Sequence, residues 1–317
     1  MILVTGASGA LGSRIVRRLA ARGVPVRALV RSRAWAEAEG RLAGLAVEWA
    51  EGDVTRPETL GAAMRGVEAV IHTVAVAIEK GSRTYEAVNY LGTVHVVDAA
   101  REAGVRRFIN ICQLGADARL PYRFLASKGR AQEYVAASGL AWTAFRPSTI
   151  WGPDDEFANT FARLVPLTPL VFPIIGDGRA RFQPVWVEDV VTAVTGALDD
   201  ASTVGEELEL GGPEVLTLAE IQRRVLAAVG ARRVLVPTPL PILRPVVWLM
   251  SVALPAPPVT PALLDLLAVD NTTTRNALPR FVREPRPFAV EHLAPYMRTF
   301  RVGDTLRRFF GRAARAV

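Results

Sequence analysis

Three glycines and one lysine carry the chemistry that is legible first. Gly6, Gly9 and Gly12 stand three residues apart in "VTGASGALGSRIV", after an apolar run and before an amphipathic one. That spacing, in a strand–turn–helix, suits the pyrophosphate of a dinucleotide. Gly6 permits the tight turn, Gly9 lets the backbone approach the phosphates, and Gly12 lets the helix press on the strand. Ser8, Ala10 and Leu11 complete the loop. The N–H groups at the start of the following helix would face the anion. The lysine is Lys128, one of only two in the chain, the other being Lys80. Almost every other positive charge is arginine, so a compact ammonium at 128 is informative.

The second strand ends in "VRALVRSRAW". An NAD site usually places Asp or Glu there for the ribose 2′-hydroxyl. This chain has Arg31 and Arg33, whose guanidinium forks suit a 2′-phosphate. NADP(H) is therefore preferred over NAD(H). Asp53 and Val54 end the third strand, and Thr73, Val74 and Ala75 follow the fourth, where the backbone would pass the adenosine. His72 lies inside a buried run and has no companion ligand. With no His/Asp/Glu cluster at metal spacing, no metal is expected.

These residues need a particular scaffold. Short apolar strands are expected at 1–5, 24–30, 45–50, 67–74, 105–112 and 141–146, alternating with helices near 10–22, 56–65, 83–103 and 123–138. Such alternation predicts an α/β fold, a Rossmann-type doubly wound parallel sheet. A helix near 187–198 and a strand near 206–210 return to that sheet. Thr217 and Glu220 form a capping-box pattern that opens another helix. Residues 1–150 and 182–212 are assigned to the nucleotide-binding domain. Residues 151–181 and 213–317 are assigned to a smaller, mostly C-terminal substrate or lid region with a basic tail.

The composition fits one such chain. It has 317 residues, half of them apolar, a net charge of +7 and a single cysteine, Cys112. That excludes an internal disulfide and favours a reducing, cytoplasmic setting. No secretory leader is read at the start. Residues 298–317 hold six arginines and one aspartate. There Leu306, Phe309 and Phe310 interleave with Arg307, Arg308 and Arg312. This tail either packs its Phe pair on the domain, the favoured reading, or lies on an anionic membrane surface. The Pro-rich apolar stretch 232–265 has no run suited to a spanning helix. It reads as a lid with a hydrophobic interior, the favoured reading, or as a greasy surface for a lipid, a quinone or a membrane. The basic charge sits in a tail with no aromatic-interleaved sheet, so nucleic acid is not an expected partner.

The glycine turn, "GDVT", "VIHTVA", "VNYLGTVHVVDAAREAGVRRFI", "SKGRAQE", "FRPSTIWGP" and "FQPVWVEDV" together resemble an extended or atypical short-chain dehydrogenase/reductase of the NAD-dependent epimerase/dehydratase type. The closest subgroup resembles the nucleotide-binding accessory subunit of respiratory complex I. The resemblance covers about residues 1–212. It implies that Asn89 and Pro147 border the cofactor and that Lys128 bonds the nicotinamide ribose. It also implies a tyrosine acid/base four residues before that lysine and a serine or threonine after the fifth strand. The tyrosine position is Phe124, which has no proton to give. The serine region holds Cys112 and Gln113, and neither can be the proton source. Tyr122 is the remaining phenol nearby. Two residues rotate it roughly 200° from Phe124 around a helix, so it is expected to face away. A positioned acid/base is worth about 10² to 10⁴ in rate. The expectation is a nucleotide-binding protein with low or no turnover, in a redox-responsive or assembly role near a membrane complex or quinone metabolism. The alternative is an active reductase or epimerase with a non-standard proton donor.

Overall fold

The computed structural model describes residues 1–255, 257–297 and 302–310. Its centre is a seven-stranded, all-parallel sheet. In chain order the strands are β1 (Ile2–Thr5), β2 (Val26–Val30), β3 (Glu48–Glu51), β4 (Ala69–His72), β5 (Arg107–Ile111) and β6 (Ala141–Pro147), and later β11 (Glu206–Leu210). The spatial order is β11-β6-β5-β4-β1-β2-β3. The chain therefore reverses its direction of travel between β1 and β4. Open α/β sheets bind ligands at that switch point, beyond the carboxyl ends of the strands.

β1 and β4 are buried almost along their length, as strands covered by helices on both faces must be. The covering helices are α1 (Ala10–Ala21), α2 (Arg33–Glu39), α3 (Leu60–Met64), α4 (Gly92–Glu102), α5 (Arg123–Ala136) and α7 (Val187–Gly196). α1 turns Ile15, Val16 and Leu19 inward. Its outward Arg14 and Arg18 reach Glu188 on α7 at 2.9 and 3.1 Å. These half-exposed pairs steer the packing, and each is worth at most about 1 kcal/mol. Ahead of α4 the chain makes a π-helical turn, Tyr85–Leu91. The expected helix at 83–103 is thus two elements wound differently. One core on this side of the sheet gathers Leu3, Leu60, Met64, Val70, Val96, Val97 and Phe108.

The described chain forms two compact units. The first comprises Met1–Pro147, Val187–Leu210 and Arg275–Arg283. The last segment was expected in the smaller region. It joins the sheet instead, because Ala277 N–H donates to the Glu209 carbonyl at 2.8 Å and Phe281 packs edge-on against Phe145.

The second unit comprises Ser148–Trp186, Gly211–Thr274 and Glu284–Val317. It holds three strand pairs. β7 (Ile150–Trp151) pairs with β10 (Val185–Trp186), β9 (Arg181–Phe182) with β12 (Leu216–Thr217), and β8 (Val171–Ile175) with β13 (Val234–Thr238). Its helices are α6 (Ala158–Leu164), α8 (Leu218–Ala228), α9 (Leu240–Ala253), α10 (Pro261–Leu266), α11 (Val290–Leu293) and α12 (Val302–Phe310). The capping box at the start of α8 is formed in both directions by Thr217 and Glu220. A ring cluster of Trp151, Trp186 and Phe288 fills the interior.

Two expectations for this unit change. The two helices of the 232–265 stretch bury only Val247 and Leu264, so most of that stretch does not line an interior. An apolar helix must bury some face, but it has neighbours on one side only. Of the basic tail, Phe309 is buried and Phe310 is exposed, so one ring of the pair packs. Thr305 is buried as well, while residues 298–301 and 311–317, Arg312 among them, and the side chains of Leu306, Arg307 and Arg308 lie outside the described residues.

Replacing a fully buried ring at the centre of the sheet leaves a cavity. Phe108→Ala should therefore destabilise the first unit by about 3–5 kcal/mol in a denaturant titration, with native-like circular dichroism below the transition.

Candidate nucleotide-binding site

The site begins where β1 leaves the sheet. Gly6 takes a left-handed conformation, with φ of 67°. A side chain there would put Cβ 2.7 Å from the Thr73 hydroxyl. The Gly9 N–H returns to the Gly6 carbonyl at 2.9 Å. Gly12 is the tightest point: its Cβ would lie 2.1 Å from that same carbonyl oxygen. No atom fits there, so only glycine lets α1 start this close to the turn. Gly9 is the N-cap of α1, with no side-chain cap and no acidic residue in the first turn. The first N–H groups, at Ala10, Leu11 and Gly12, have no intrahelical acceptor. An uncapped helix start held by a glycine turn at the switch point fits a pyrophosphate, in shape and in charge.

A buried polar chain braces the turn from below. His72 ends β4 with no exposure. Its Nδ1 lies 2.8 Å from the Thr5 hydroxyl and its Nε2 3.1 Å from the Thr93 hydroxyl. Thr93 donates to the Asn89 carbonyl at 2.8 Å. Thr73 donates to the Thr5 carbonyl at 2.7 Å. Burial, with the Lys128 charge adding to it, holds the His72 pKa down at about 3, so the ring is neutral at ordinary pH. Thr73 therefore clamps the glycine turn, a role its sequence position did not show. Val74 is half-buried and Ala75 exposed just beyond it.

Asn89 does not present its amide to a ligand. Its Oδ1 accepts from Val76 N–H at 2.8 Å, and its Nδ2 donates to the Val76 carbonyl and the Ser127 hydroxyl. With both amide hydrogens used, it ties the loop after β4 to α5. Asp53 is also occupied in part, accepting from the N–H and hydroxyl of Thr55 at 2.9 and 2.8 Å. Val54 is buried with its methyl group against Gly92. Pro147, at the end of β6, gives its carbonyl to Leu114 N–H at 2.9 Å.

The arginines after β2 divide. Ser32 caps α2 through Trp35 N–H, which places Arg33 on the helix. Arg33 Nε bonds Glu37 at 2.8 Å, and its guanidinium lies over Trp49. Its guanidinium is thus partly committed to its own helix and to Trp49. Arg31 remains exposed beside the loop that carries Arg83. Burial, then the Arg31 charge, lowers the Arg83 pKa, and Asp53 opposes them in part. Two guanidinium groups in one neighbourhood favour an anion between them. Arg41 adds a third cation: its Nη1 donates to the Ser8 carbonyl at 3.2 Å, at the lip of the glycine loop. Arg41 and Arg83 were missed because they sit in loops of no periodicity, far along the chain from the motifs they approach.

α5 holds Phe124 and Lys128, the positions where the resemblance places a tyrosine acid/base and a lysine. It starts at Arg123, so Tyr122 is its N-cap, half-buried and outside the helix. Phe124 packs edge-on against Tyr85 with ring centroids 5.6 Å apart, at the border of the core. One turn on, Lys128 is 3% exposed. Its Nζ donates to the Ile111 carbonyl at 2.7 Å, and burial lowers its pKa. Cys112 is buried beside it, with Sγ 3.6 Å from the Lys128 carbonyl, and burial raises that thiol. Beside Phe124, the Ser127 hydroxyl donates to the Phe124 carbonyl at 2.7 Å and the Tyr85 hydroxyl to the Ala77 carbonyl at 2.8 Å. Among the described residues no group of three His, Cys, Asp or Glu side chains is placed to hold a metal ion.

A parallel sheet in this order, with a glycine turn at its switch point, defines a dinucleotide-binding Rossmann protein. The chain belongs to the NAD(P)H-binding family, whose profile matches residues 6–164, and within it is an atypical short-chain dehydrogenase/reductase with relatives among complex I subunits. It is 34% identical to the mitochondrial NADH dehydrogenase [ubiquinone] 1 alpha subcomplex subunit 9 of Arabidopsis thaliana, over 69% of this chain and 55% of that subunit. The match thus spans little more than half of that relative's length. It is 31% identical to the 2-alkyl-3-oxoalkanoate reductase of Stenotrophomonas maltophilia, over 74% of this chain and 77% of that enzyme. The UDP-glucuronic acid 4-epimerase of Bacillus cereus, solved with UDP-glucuronic acid and NAD, shares the fold. Its TM-score is 0.69 at 17% identity, covering 93% of this chain and 98% of that one.

Two measurements test this geometry. Gly12→Ala should abolish nucleotide binding in calorimetry, because the turn must open to admit the methyl group. His72 is about 3 when folded and about 6.5 when unfolded, so the unfolded chain binds the extra proton between those values. Stability should fall as pH drops from about 6.5 toward 3, and His72→Asn should flatten that slope.

Proposed function

We propose that this chain is an NADP(H)-binding protein of short-chain dehydrogenase type that binds the dinucleotide without efficient turnover, in a redox-responsive or assembly role. The observation that carries this reading is the pairing of a complete glycine cradle with a phenylalanine ring at the proton-donor position of α5. The cradle leaves the first N–H groups of α1 uncapped and excludes a methyl group at Gly12. The Phe124 ring is packed edge-on against Tyr85. When bound, the dinucleotide would supply a hydride. The chain's own part is to cradle the pyrophosphate at Gly6–Gly12 and to hold cations near the adenosine ribose.

The preference for the 2′-phosphorylated form rests on Arg31 with Arg83 nearby, and no longer on Arg33. Sequence relatives include both a complex I subunit and a reductase, so family membership alone favours neither assembly nor turnover. The missing acid/base favours the low-turnover reading, since losing such a group costs about 10² to 10⁴ in rate.

Calorimetric titration should show NADPH binding more tightly than NADH. Arg31→Asp should weaken NADPH by roughly tenfold or more, about 1.4 kcal/mol, and spare NADH. Equal affinities in wild type would refute the NADP preference. Phe124→Tyr should create or raise carbonyl reduction from a wild-type baseline near zero. Robust wild-type turnover that disappears in Tyr122→Phe would establish the active-reductase reading in its place.

A further inference from the structure

The outer face of α9 is built against the usual rule for a surface helix. At 100° per residue, Ile242, Pro245, Val246, Trp248, Leu249 and Val252 fall within one arc of roughly 160°. Val246, Trp248, Leu249 and Val252 are 53%, 59%, 60% and 67% exposed, and Ile242 is 60% exposed. The arc contains no polar side chain. The only charge on the helix, Arg244, borders it and pairs with Asp265 at 2.8 Å. The one buried residue, Val247, lies on the other side. A solvated helix carries polar residues outward. Here both sides are apolar, and the outward one is unpartnered among the described residues. The same chain leads into α9 from β13, where Val234 is 66% exposed beside Leu170 at 77%.

Charge identifies the occupant. Residues 221–264 hold five arginines (223, 224, 232, 233 and 244) and no aspartate, glutamate or lysine, and two of the five meet carboxylates just outside that stretch, Arg224 at Glu214 and Arg244 at Asp265. A protein partner tolerates carboxylates at the rim of an interface. An anionic bilayer repels them and attracts arginine, while a lone Trp in an aliphatic face suits the headgroup boundary. The helix is also too short to span. Fourteen residues rise about 21 Å against a hydrocarbon core of about 30 Å, and no described helix is long and apolar enough to cross. We infer that α9 lies in the surface of an anionic lipid bilayer, its Ile242–Val252 face among the acyl chains and the flanking arginines at the headgroups. This site is distinct from the 298–317 tail and independent of the nucleotide reading.

The test uses the full chain and sucrose-loaded vesicles of phosphatidylcholine alone or with one quarter phosphatidylglycerol. The protein should pellet several-fold more with the anionic vesicles. The double variant Val246→Glu, Leu249→Glu should cut that partition at least tenfold. Both positions are exposed, so its thermal transition should match wild type. As a second readout, brominated phosphatidylcholine in the anionic vesicles should quench tryptophan emission in wild type and much less in Trp248→Phe. The inference is overturned if the chain stays in the supernatant with both vesicles or if the double variant pellets like wild type. It is equally overturned if wild type forms a concentration-dependent dimer that the double variant abolishes, without vesicle binding.

Discussion

The contact between Gly12 and the Gly6 carbonyl governs the first unit. With 2.1 Å available where a methyl group would stand, α1 must begin directly on the turn from β1. That closeness aims the first N–H groups of the helix at the space beyond β1 and β4. Among the described residues no side-chain cap serves this helix start. A helix start with no acidic or hydroxyl partner is unfavourable by itself, since several donors then depend on solvent. The fold tolerates that cost in the one place where a ligand's phosphates can supply the missing acceptors.

Beneath the turn, Thr5, His72, Thr93 and Asn89 form a chain of buried polar groups that reaches Ser127 on α5. Each buried donor or acceptor left unpaired would cost about 1–3 kcal/mol, so the set holds its members in fixed positions together. The glycine turn, the loop after β4 and α5 are therefore mutually positioned by these buried side chains. This accounts for a polar histidine at the end of an otherwise apolar strand.

The parts of the structure that follow a period were legible in the sequence. The sheet strands alternate with helices over 150 residues, and the Thr217–Glu220 box and the β11 strand stand where patterning places them. Residues whose role comes from loops were not legible. Arg41 and Arg83 approach the nucleotide site from segments with no pattern, and Arg33 is diverted by Glu37, a neighbour whose pull depends on α2 forming. The outward face of α9 was hidden for a different reason. Hydropathy shows that a segment is apolar, but a helix that is apolar all round has no moment to say which side is covered. Only the placement of Val247 inside and Trp248 outside resolves it.

Lys128 shows how far a motif carries. In a chain with two lysines, an ammonium at this position reads as a cofactor ligand. The structure gives it a second reason to be there, because its Nζ is enclosed and bonded to the Ile111 carbonyl. An amine buried this way loses part of its charge preference and anchors α5 to the end of β5. Its presence therefore does not by itself report binding of the nicotinamide ribose. The glycine cradle bears on binding more directly, since an uncapped helix start leaves N–H donors that need acceptors from outside the helix. The two halves of the motif separate here: the phosphate-binding half is justified by the ligand, and the lysine is justified by the fold.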